Sequence, residues 1–508
     1  MTSRKFFVVL TCLLLSLTFA LGACNTSSGG ETSGSTSTTG RIGNEHGGFD
    51  PATNRYYVNM PAFNFDKKEF NVLVLDNTRE TTYYSEEVGV DKYETTDEVL
   101  EDAVRNRNNK VFEDYGVTIN AVYAANVFED LSKDVKANTG AYDMAMPFLY
   151  QCVNLAQSGD IYDLRSDPFN KYIDLEMPWW DQNATASLSI DNKVFFTTGD
   201  ISIMQKIVSV AVTFNKDMLK DNFPDVNLYQ EVRDGKWTLD RMIELSKQVT
   251  KDYTGEGEMT YKDIWGLSGS YGDASMMYLA SGEKLITKDE NTDYPILAIG
   301  NERSLNVAKK ILEELQRKNE WVIHANEFRD VSDIWKTSLD IFGENRALFR
   351  TSAFSAIKKL RNYTDNSDFG VIPMPKFDAD QEKYYTPCAA TLAYGVVIPK
   401  SAPDPEFSAF MTEVMACEAK NYITNAYYET ILKSRDLKDE ESEEMLDKYI
   451  FNNVVYDLGI IYNFGNVSSM FNTLMSSGNS DIVSTLDANR DAIEAAIDQV
   501  VQQYQDSQ

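Results

Sequence analysis

Histidine is almost absent from this chain. Only His46 and His324 occur in 508 residues, so a Ser/His/Asp triad has little material, and no Gly-x-Ser-x-Gly nucleophile elbow is present. The HExxH, CxxC and GxGxxG patterns, which mark zinc peptidases, paired-cysteine sites and dinucleotide folds, are absent as well. These absences argue against a triad hydrolase, a zinc peptidase or a nucleotide-dependent redox enzyme, and we expect no cofactor.

Calcium loops are suggested at two places but neither is complete. Residues 289–293 are acidic, yet Tyr294 stands where such a loop needs glycine, and Gly300 stands where the closing glutamate belongs. A second acidic stretch, at Asp378 and Asp380, fails in the same way at Ala389. We therefore expect no metal site.

Positive charge is scarce. The chain has 48 Lys and Arg against 78 Asp and Glu, which gives a net charge of −30. Such a chain repels nucleic acid, so no nucleic-acid partner is expected. Acidic pairs also leave open a surface glycoside hydrolase, whose chemistry needs two carboxyl groups facing each other across a cleft.

Cysteine is also rare. Of the five cysteines, Cys12 lies within the apolar N-terminal segment and Cys24 directly follows it, which leaves Cys152, Cys388 and Cys417. An odd number without close pairs does not imply a disulfide framework, although one disulfide could form. The default expectation is three small buried apolar side chains.

What is present at the N-terminus is a short basic start, an apolar core and small residues. Arg4 and Lys5 precede the apolar segment, and Leu21-Gly22-Ala23-Cys24 closes it. This ending resembles the bacterial lipobox, whose cysteine is lipid-modified after cleavage, whereas an ordinary signal peptide with a chance cysteine is the alternative. We predict a signal peptide over 1–23, a lipid on Cys24 and a flexible Ser/Thr/Gly linker over 24–66. The protein is then held at the cell membrane, facing outside the cytoplasm.

Behind this segment the chain alternates between strand and helix patterns. Its 43% hydrophobic content over 508 residues is enough for more than one lobe. Strands are predicted at 70–75, 117–123, 142–147, 193–199, 208–214, 369–375 and 394–399, with a strand end at Phe349. Helices are predicted at 97–115, 128–135, from Thr238 onward, and at 302–317, 405–420 and 489–504. Alternation of this kind predicts an α/β fold with mostly parallel sheets.

Seven short motifs follow one another in a recognisable order. They are YD at 142–143, LAQSG at 155–159, TFNKDML at 213–219, WTLD at 237–240, FGENRALF at 342–349, DFGVIPMP at 368–375 and YGVVIPK at 394–400. Their order resembles the family 1 extracellular solute-binding proteins, the receptors of ABC importers to which maltose-binding protein belongs. The resemblance covers nearly the whole chain beyond the predicted signal segment.

The resemblance implies a two-lobe, type II periplasmic-binding-protein fold with discontinuous lobes joined by a hinge. Residues 67–200 with 374–428 would form lobe 1, and 201–373 with 429–508 would form lobe 2, with crossovers near Asp200, Pro373 and Tyr428. It also implies a monomer that is not an enzyme, that captures a carbohydrate, presumed an oligosaccharide, and that delivers it to ABC permease subunits. A non-transport sensor or adhesin lipoprotein is a further alternative.

Candidate ligand contacts are aromatic and polar side chains on loops at the strand ends that face the cleft. They are Phe148, Tyr150, Gln151, Trp179, Trp180, Asp200, Tyr271, Asp273, Arg350, Phe354, Tyr385 and Tyr462. The remaining tryptophans, Trp237, Trp265, Trp321 and Trp335, are expected to pack inside the lobes. The first of these loops lacks the residues of maltose-binding protein, so maltose bound in the same way is not expected.

Overall fold

The computed structural model describes residues 47–78, 82–90, 97–363, 368–437 and 439–507. The predicted signal segment, Cys24 and the Ser/Thr/Gly run lie outside these residues. Within the described ranges, no helix combines the length and the apolar character needed to span a membrane.

The strands and helices alternate along the chain. In order, the strands are β1 (Gly48–Asp50), β2 (Arg55–Tyr57), β3 (Lys68–Leu75), β4 (Val117–Ala124), β5 (Met144–Ala145), β6 (Val210–Asn215), β7 (Trp265–Gly269), β8 (Ile286–Lys288), β9 (Pro295–Leu297), β10 (Val322–His324), β11 (Ala347–Ala353), β12 (Phe369–Ile372), β13 (Thr386–Pro387) and β14 (Val454–Val455).

The α-helices are α1 (Glu98–Tyr115), α2 (Val127–Ala137), α3 (Leu149–Gln157), α4 (Gln182–Leu188), α5 (Met204–Ile207), α6 (Lys216–Asn222), α7 (Leu228–Arg233), α8 (Leu239–Val249), α9 (Asp273–Ala280), α10 (Glu302–Glu314), α11 (Ile334–Gly343), α12 (Phe354–Leu360), α13 (Pro405–Ala419), α14 (Glu440–Met445), α15 (Leu458–Tyr462), α16 (Ser469–Ser477) and α17 (Ile482–Asp506). Helix α13 continues into wider π-type turns over Lys420–Thr424 and Ala426–Asp436.

The first sheet has the strand order β4-β3-β5, and all its strands are parallel. Its central strand β3 is nearly all apolar from Phe70 onward, and Phe70, Val72, Leu73 and Val74 are fully buried. Such a continuous apolar run is typical of a strand covered on both faces. The predicted strand at 394–399 joins this sheet through single antiparallel bridges, such as Ala145 with Val397.

The second sheet has the order β10-β7-β11-β6-β12. Strand β7 runs parallel to β10 and β11, whereas β6 is antiparallel to β11 and β12. Every residue of β6 is buried, which matches the apolar run predicted at 208–214. The chain passes from the first sheet to the second between Gly199 and Val210, and it returns between Ile372 and Tyr394.

Local capping explains where several helices begin and end. Asp97 accepts a hydrogen bond from the backbone N–H of Val99 and starts α1, and Gly116, at φ 64°, ends it in the left-handed conformation. Thr238 caps α8 by accepting from the N–H of Arg241. These boundaries confirm the predicted helices at 97–115 and from Thr238.

Four expectations need correction or refinement. The strand predicted at 193–199 forms only isolated bridges, Phe349 lies inside β11 rather than at its end, and α17 begins seven residues before the predicted Asn489. The stretch assigned to the linker contains a folded hairpin, β1–β2, and Arg55 of this hairpin forms an ion pair with Glu418 at 2.6 Å. A flexible linker therefore does not extend to residue 66.

The three remaining cysteines follow the default expectation. Cys152, Cys388 and Cys417 are free and buried, so they form no disulfide. Burial raises the pKa of the Cys152 thiol well above its usual value. These side chains are apolar packing elements and not reactive thiols.

Candidate functional site

A cavity of about 470 Å³ lies between the two sheets. Tyr83 follows β3 of the first sheet, and residues 389–392 lead into the segment that bridges to it, whereas the other wall belongs to the second sheet and its helices. The lining residues are Tyr83, Val210, Gly269, Ser270, Gly272, Asp273, Met276, Trp335, Ser338, Leu339, Arg350, Thr351, Ser352, Ala353, Ser355, Ala356, Lys359, Ala389, Thr391 and Leu392.

Arg350 brings a buried positive charge to this cavity. It lies in β11, between Ser268 of β7 and Thr213 of β6. Its Nη1 donates to the Thr351 carbonyl at 3.1 Å and to the Ser352 hydroxyl at 2.7 Å. Its Nε is buried without a hydrogen-bond partner. Burial lowers the pKa of the guanidinium, and the charge of Asp273 opposes that effect.

Asp273 starts α9 at the carboxyl end of β7. Its carboxylate accepts from the Ser270 N–H at 2.8 Å and from the Ser270 hydroxyl at 3.1 Å, and the Thr351 hydroxyl donates to it as well. Gly269 permits this approach, because a Cβ there would lie 2.3 Å from Asp273 Oδ2. Burial raises the pKa of Asp273, while its hydrogen bonds with Thr351 and Ser270 act in the opposite direction.

Trp335 is the exposed aromatic residue of the cavity wall. It stands in the first turn of α11, whose N-terminus is capped by Asp333, and 56% of its surface is exposed. The expectation that Trp335 packs inside a lobe is therefore wrong. Its position after a polar segment at a helix start was the only sequence signal for exposure. Trp237, Trp265 and Trp321 are buried, as expected.

The aromatic residues of the first loop stand beside the opposite wall. Phe148 contacts Tyr394 with ring centroids 5.3 Å apart, and the Tyr394 hydroxyl donates to the carbonyl of Tyr83, which lines the cavity. Tyr150 stacks on Phe148 and is 41% exposed. The Gln151 side chain accepts from the Phe148 N–H at 3.2 Å, so it fixes the start of α3.

Trp179 and Trp180 are core residues, which corrects the expectation of an exposed cluster. Trp179 has no exposed surface, and a Cβ at Gly199 would lie 2.2 Å from its carbonyl oxygen. Trp180 donates from Nε1 to Glu413 at 2.8 Å inside the lobe. Sequence position could not separate these two from Trp335, because large aromatics serve both cores and sites.

Asp200 lies at the first crossover and is held by ion pairs. Its carboxylate contacts Lys206 at 3.1 Å, Lys420 at 2.8 Å and the Thr424 hydroxyl at 2.7 Å. Burial alone would raise the pKa of Asp200, but the two lysines lower it below its usual value. Asp200 therefore ties the crossover to the turns that follow α13 and does not line the cavity.

The other predicted contacts do not line this cavity. Phe354 is buried against Phe451 at a centroid distance of 5.0 Å, and it lines a neighbouring cavity. Tyr271 donates to Glu327 at 3.3 Å, beside the cavity residues Ser270 and Gly272.

Two further tyrosines serve packing. Tyr385 covers Gly282, where a Cβ would lie 2.8 Å from its ring. Tyr462 stacks on Phe464 and shares a hydrogen bond with the Tyr504 hydroxyl. Of the predicted set, Asp273 and Arg350 thus line the cavity between the sheets.

The cavity continues past α12. A neighbouring cavity of about 510 Å³ shares Ser355 and Lys359 with it and reaches Glu86 and Tyr427. Burial raises the pKa of Glu86, although Lys358 acts against it. Together the two spaces form an elongated cleft.

Solved structures with this fold are known. A cyclo/maltodextrin-binding protein complexed with maltotetraose has a TM-score of 0.52 at 14% identity and covers 86% of this chain and 97% of that chain. An ABC substrate-binding protein from Listeria monocytogenes in complex with cycloalternan has a TM-score of 0.51 at 12% identity, covering 86% and 99%. A maltose-binding periplasmic protein from the same organism, in complex with maltose, has a TM-score of 0.51 at 16% identity, also covering 86% and 99%.

These structural similarities establish the fold of the chain. The chain has the two-lobe α/β fold of the ABC-transporter substrate-binding proteins, which confirms the resemblance seen in its motifs. No family model and no curated protein matches it by sequence.

Proposed function

We propose that this protein is an extracytoplasmic receptor that captures an oligosaccharide between its two sheets and delivers it to an ABC permease. The observation that carries the proposal is Trp335, a large aromatic side chain held 56% exposed on the wall of the cavity. A soluble protein gains nothing in folding from such exposure. An aromatic face beside polar groups is the surface on which a sugar ring stacks.

The polar groups near Trp335 suit sugar hydroxyls. Asp273 and Ser270 offer acceptors, Arg350 offers donors, and the hydroxyls of Ser352 and Thr391 can do either. Planar side chains of this kind bind hydroxyl pairs in fixed orientations. The extension of the cleft past α12 favours a ligand of several rings.

The proposed lobes are 67–200 with 374–428 and 201–373 with 429–508. Closure of these lobes around a ligand is the hinge motion that such folds permit. Asp200, with its ion pairs to Lys206 and Lys420, lies at the proposed hinge. The proposed receptor works as a monomer, and its permease would recognise the closed form.

The proposal includes the predicted lipid on Cys24. A receptor without its own membrane span needs a tether to stay near its permease, and stable tethering takes more than one acyl chain. Mass spectrometry of the mature N-terminus tests this part separately. A free or uncleaved Cys24 would contradict it.

The binding test uses the protein without residues 1–23 and a panel of tetrasaccharides: maltotetraose, cellotetraose, xylotetraose and tetragalacturonate. We expect at least one to raise the melting temperature, because a ligand that binds only the folded protein stabilises it. Calorimetry should show reversible binding without hydrolysis products. Product formation would favour the glycoside hydrolase alternative.

The matched pair of variants is Trp335→Ala and Tyr253→Ala. We expect Trp335→Ala to weaken binding by about tenfold or more, which corresponds to about 1.4 kcal/mol. Tyr253 is 68% exposed and does not line the cavity, so Tyr253→Ala should leave the affinity unchanged. Equal affinities of both variants and the wild type would place the ligand elsewhere.

A further inference from the structure

The guanidinium of Arg350 is a buried cation that has no counter-ion in the part of the chain that the structure describes. Only 8% of the residue is exposed, and no carboxylate among the described residues lies within salt-bridge distance of it. Two partly buried arginines do have such partners: Arg55 pairs with Glu418 at 2.6 Å, and Arg361 pairs with Asp436 at 3.0 Å. Arg107 is fully buried and also forms no salt bridge with a described residue, but it donates to the carbonyls of Glu87 and Val88 and does not line this cavity. An unpaired buried charge is costly, and Arg350, unlike Arg107, lines a cavity from which a ligand can supply the opposite charge.

Asp273, the nearest acid in the cavity wall, does not fill this role. Its carboxylate is occupied by the Ser270 N–H, the Ser270 hydroxyl and the Thr351 hydroxyl. Arg350 and Lys359 both line the cavity, against Asp273 as its single carboxylate among the described lining residues. The cavity wall is thus locally cationic in a chain whose net charge is −30.

The hydrogen bonds of Arg350 leave two donors of its planar head without a partner among the described residues, and one of them, Nε, is buried. Nη1 is used by the Thr351 carbonyl and the Ser352 hydroxyl, whereas Nε and Nη2 make no hydrogen bond within the described chain. The Nε–Nη2 edge of a guanidinium matches the two oxygens of a carboxylate or a sulfate. The two hydrogen bonds at Nη1 hold the head in place for such a partner.

We propose that the cavity selects an anionic oligosaccharide, one of whose carboxylate or sulfate groups pairs with Arg350 while a neighbouring ring stacks on Trp335. This proposal rests on the proposed function and adds the charge class of the sugar to it. A uronic acid and a sulfated sugar offer the same chemistry, so the experiment includes both.

The primary test compares each acidic ligand with a neutral counterpart of the same shape. The carboxylate arm uses tetragalacturonate, tetraglucuronate and tetramannuronate, each beside its methyl ester. The sulfate arm uses a κ-carrageenan tetrasaccharide beside its desulfated form. We expect at least one acid to bind the wild-type protein at least tenfold more tightly than its neutral counterpart, and the arm in which this occurs identifies the anion. The proposal is overturned if no acidic member binds better.

The second test assigns the preference to Arg350. Arg350→Gln should remove the difference between acid and neutral ligand, whereas Arg350→Lys should keep part of it. Arg303→Gln, at an exposed arginine outside the cavity, is the charge-matched control and should keep the full difference. A preference that survives in Arg350→Gln would refute the assignment.

Failure of this proposal differs from failure of the proposed function. Tight binding of neutral tetrasaccharides that is lost in Trp335→Ala supports a sugar receptor and rejects the anionic ligand. Absence of binding across both panels rejects both. We expect Arg350→Gln to melt no lower than the wild type, because it removes an unpaired buried charge, and this shows that lost binding is not lost folding.

Discussion

At the scale of single residues, Glu413 shows how burial couples a carboxyl group to pH. It lies inside α13 and accepts from Trp180 Nε1 at 2.8 Å. Burial raises the pKa of Glu413 well above its usual value, since the charged form loses water. The folded protein therefore holds the proton where the unfolded chain releases it. The contribution of Glu413 to the free energy of unfolding is therefore largest at pH values below the pKa that Glu413 has in the unfolded chain. This contribution decreases as the pH rises toward the pKa that Glu413 has in the folded protein.

Glu413→Gln should therefore stabilise the protein more at pH 7 than at pH 4. Glutamine keeps an acceptor for Trp180 but has no proton to lose, and the gain at pH 7 is about 1 kcal/mol or more. Urea unfolding at both pH values measures this difference. Glu406→Gln, at an exposed position on the same helix, is the control and should show no such pH dependence. An equal effect of Glu413→Gln at both pH values would contradict the assignment.

The residues that line the cavity could be predicted from the sequence only in part, for a reason that single residues make clear. Asp273 lines the cavity from the carboxyl end of β7, a position that the sequence pattern reveals, whereas Arg350 lines it from within β11 and not from the predicted strand end. Trp179 was expected to contact ligand but is buried, and Trp335 was expected to be buried but is exposed. The exposure of a tryptophan depends on which distant element covers it, and local sequence does not carry that information.

At the scale of elements, the loop between α8 and β7 depends on one carboxylate. Asp263 accepts from the N–H groups of Tyr253, Thr254 and Thr260 at 3.0, 2.9 and 2.7 Å, and from both threonine hydroxyls. Burial raises the pKa of Asp263, but these donors outweigh it and hold the pKa at about 2. Its contribution to stability is thus complete above the unfolded pKa near 4 and is lost as pH falls toward 2.

Asp263→Asn should destabilise the protein by about 1–3 kcal/mol at pH 7, because the amide N–H₂ would face backbone donors that need an acceptor. Thermal unfolding measures this loss, and the variant should also lose less stability than the wild type between pH 4 and pH 2. Asp498→Asn, on the exposed side of α17, should be neutral. A neutral Asp263→Asn would show that the loop does not depend on this carboxylate.

Elements with local determinants were predicted closely, whereas the distant pairings of elements, such as that of the β1–β2 hairpin, were not predicted. Helix α1 carries its own cap, Asp97, and its own stop, Gly116, within the segment. The β1–β2 hairpin instead depends on Glu418, and the segment at 394–399 depends on strand β5, each hundreds of residues away. Pairing over such distances is a property of the folded chain, so hydrophobic patterns alone do not fix it.

At the scale of the whole molecule, the charge of the cleft contrasts with that of the chain. A net charge of −30 keeps the protein soluble and repels anions at long range. Arg350 and Lys359 make the wall of the cavity locally positive. Added salt screens the repulsion between the negative chain and an anionic ligand, so the association rate of such a ligand would rise with salt concentration. Its dissociation rate would depend on the short-range ion pair with Arg350.

Closure of the lobes is a prediction for the whole molecule. A pair of spin labels at Lys133→Cys on α2 and Glu313→Cys on α10 would span the proposed lobes, whereas Asp217→Cys with Glu313→Cys lies within proposed lobe 2 alone. Cys152, Cys388 and Cys417 are buried, so they should not take up label, and Cys24→Ser removes the one other cysteine of the protein without residues 1–23. With the tightest-binding tetrasaccharide of the panels, we expect the first distance to shorten and the second to stay constant.

The same label pair separates closure from simple binding. Trp335→Ala should leave the distance between the labels unchanged at a ligand concentration that closes the wild type, because fewer molecules are occupied. At saturating ligand the variant should close fully, since the substitution is expected to lower affinity and leaves the proposed hinge near Asp200 unchanged. A wild-type distance that stays constant at saturation would mean that the cleft binds its ligand without hinge motion. The permease would then have to recognise the ligand or the surface around it, and not a closed shape.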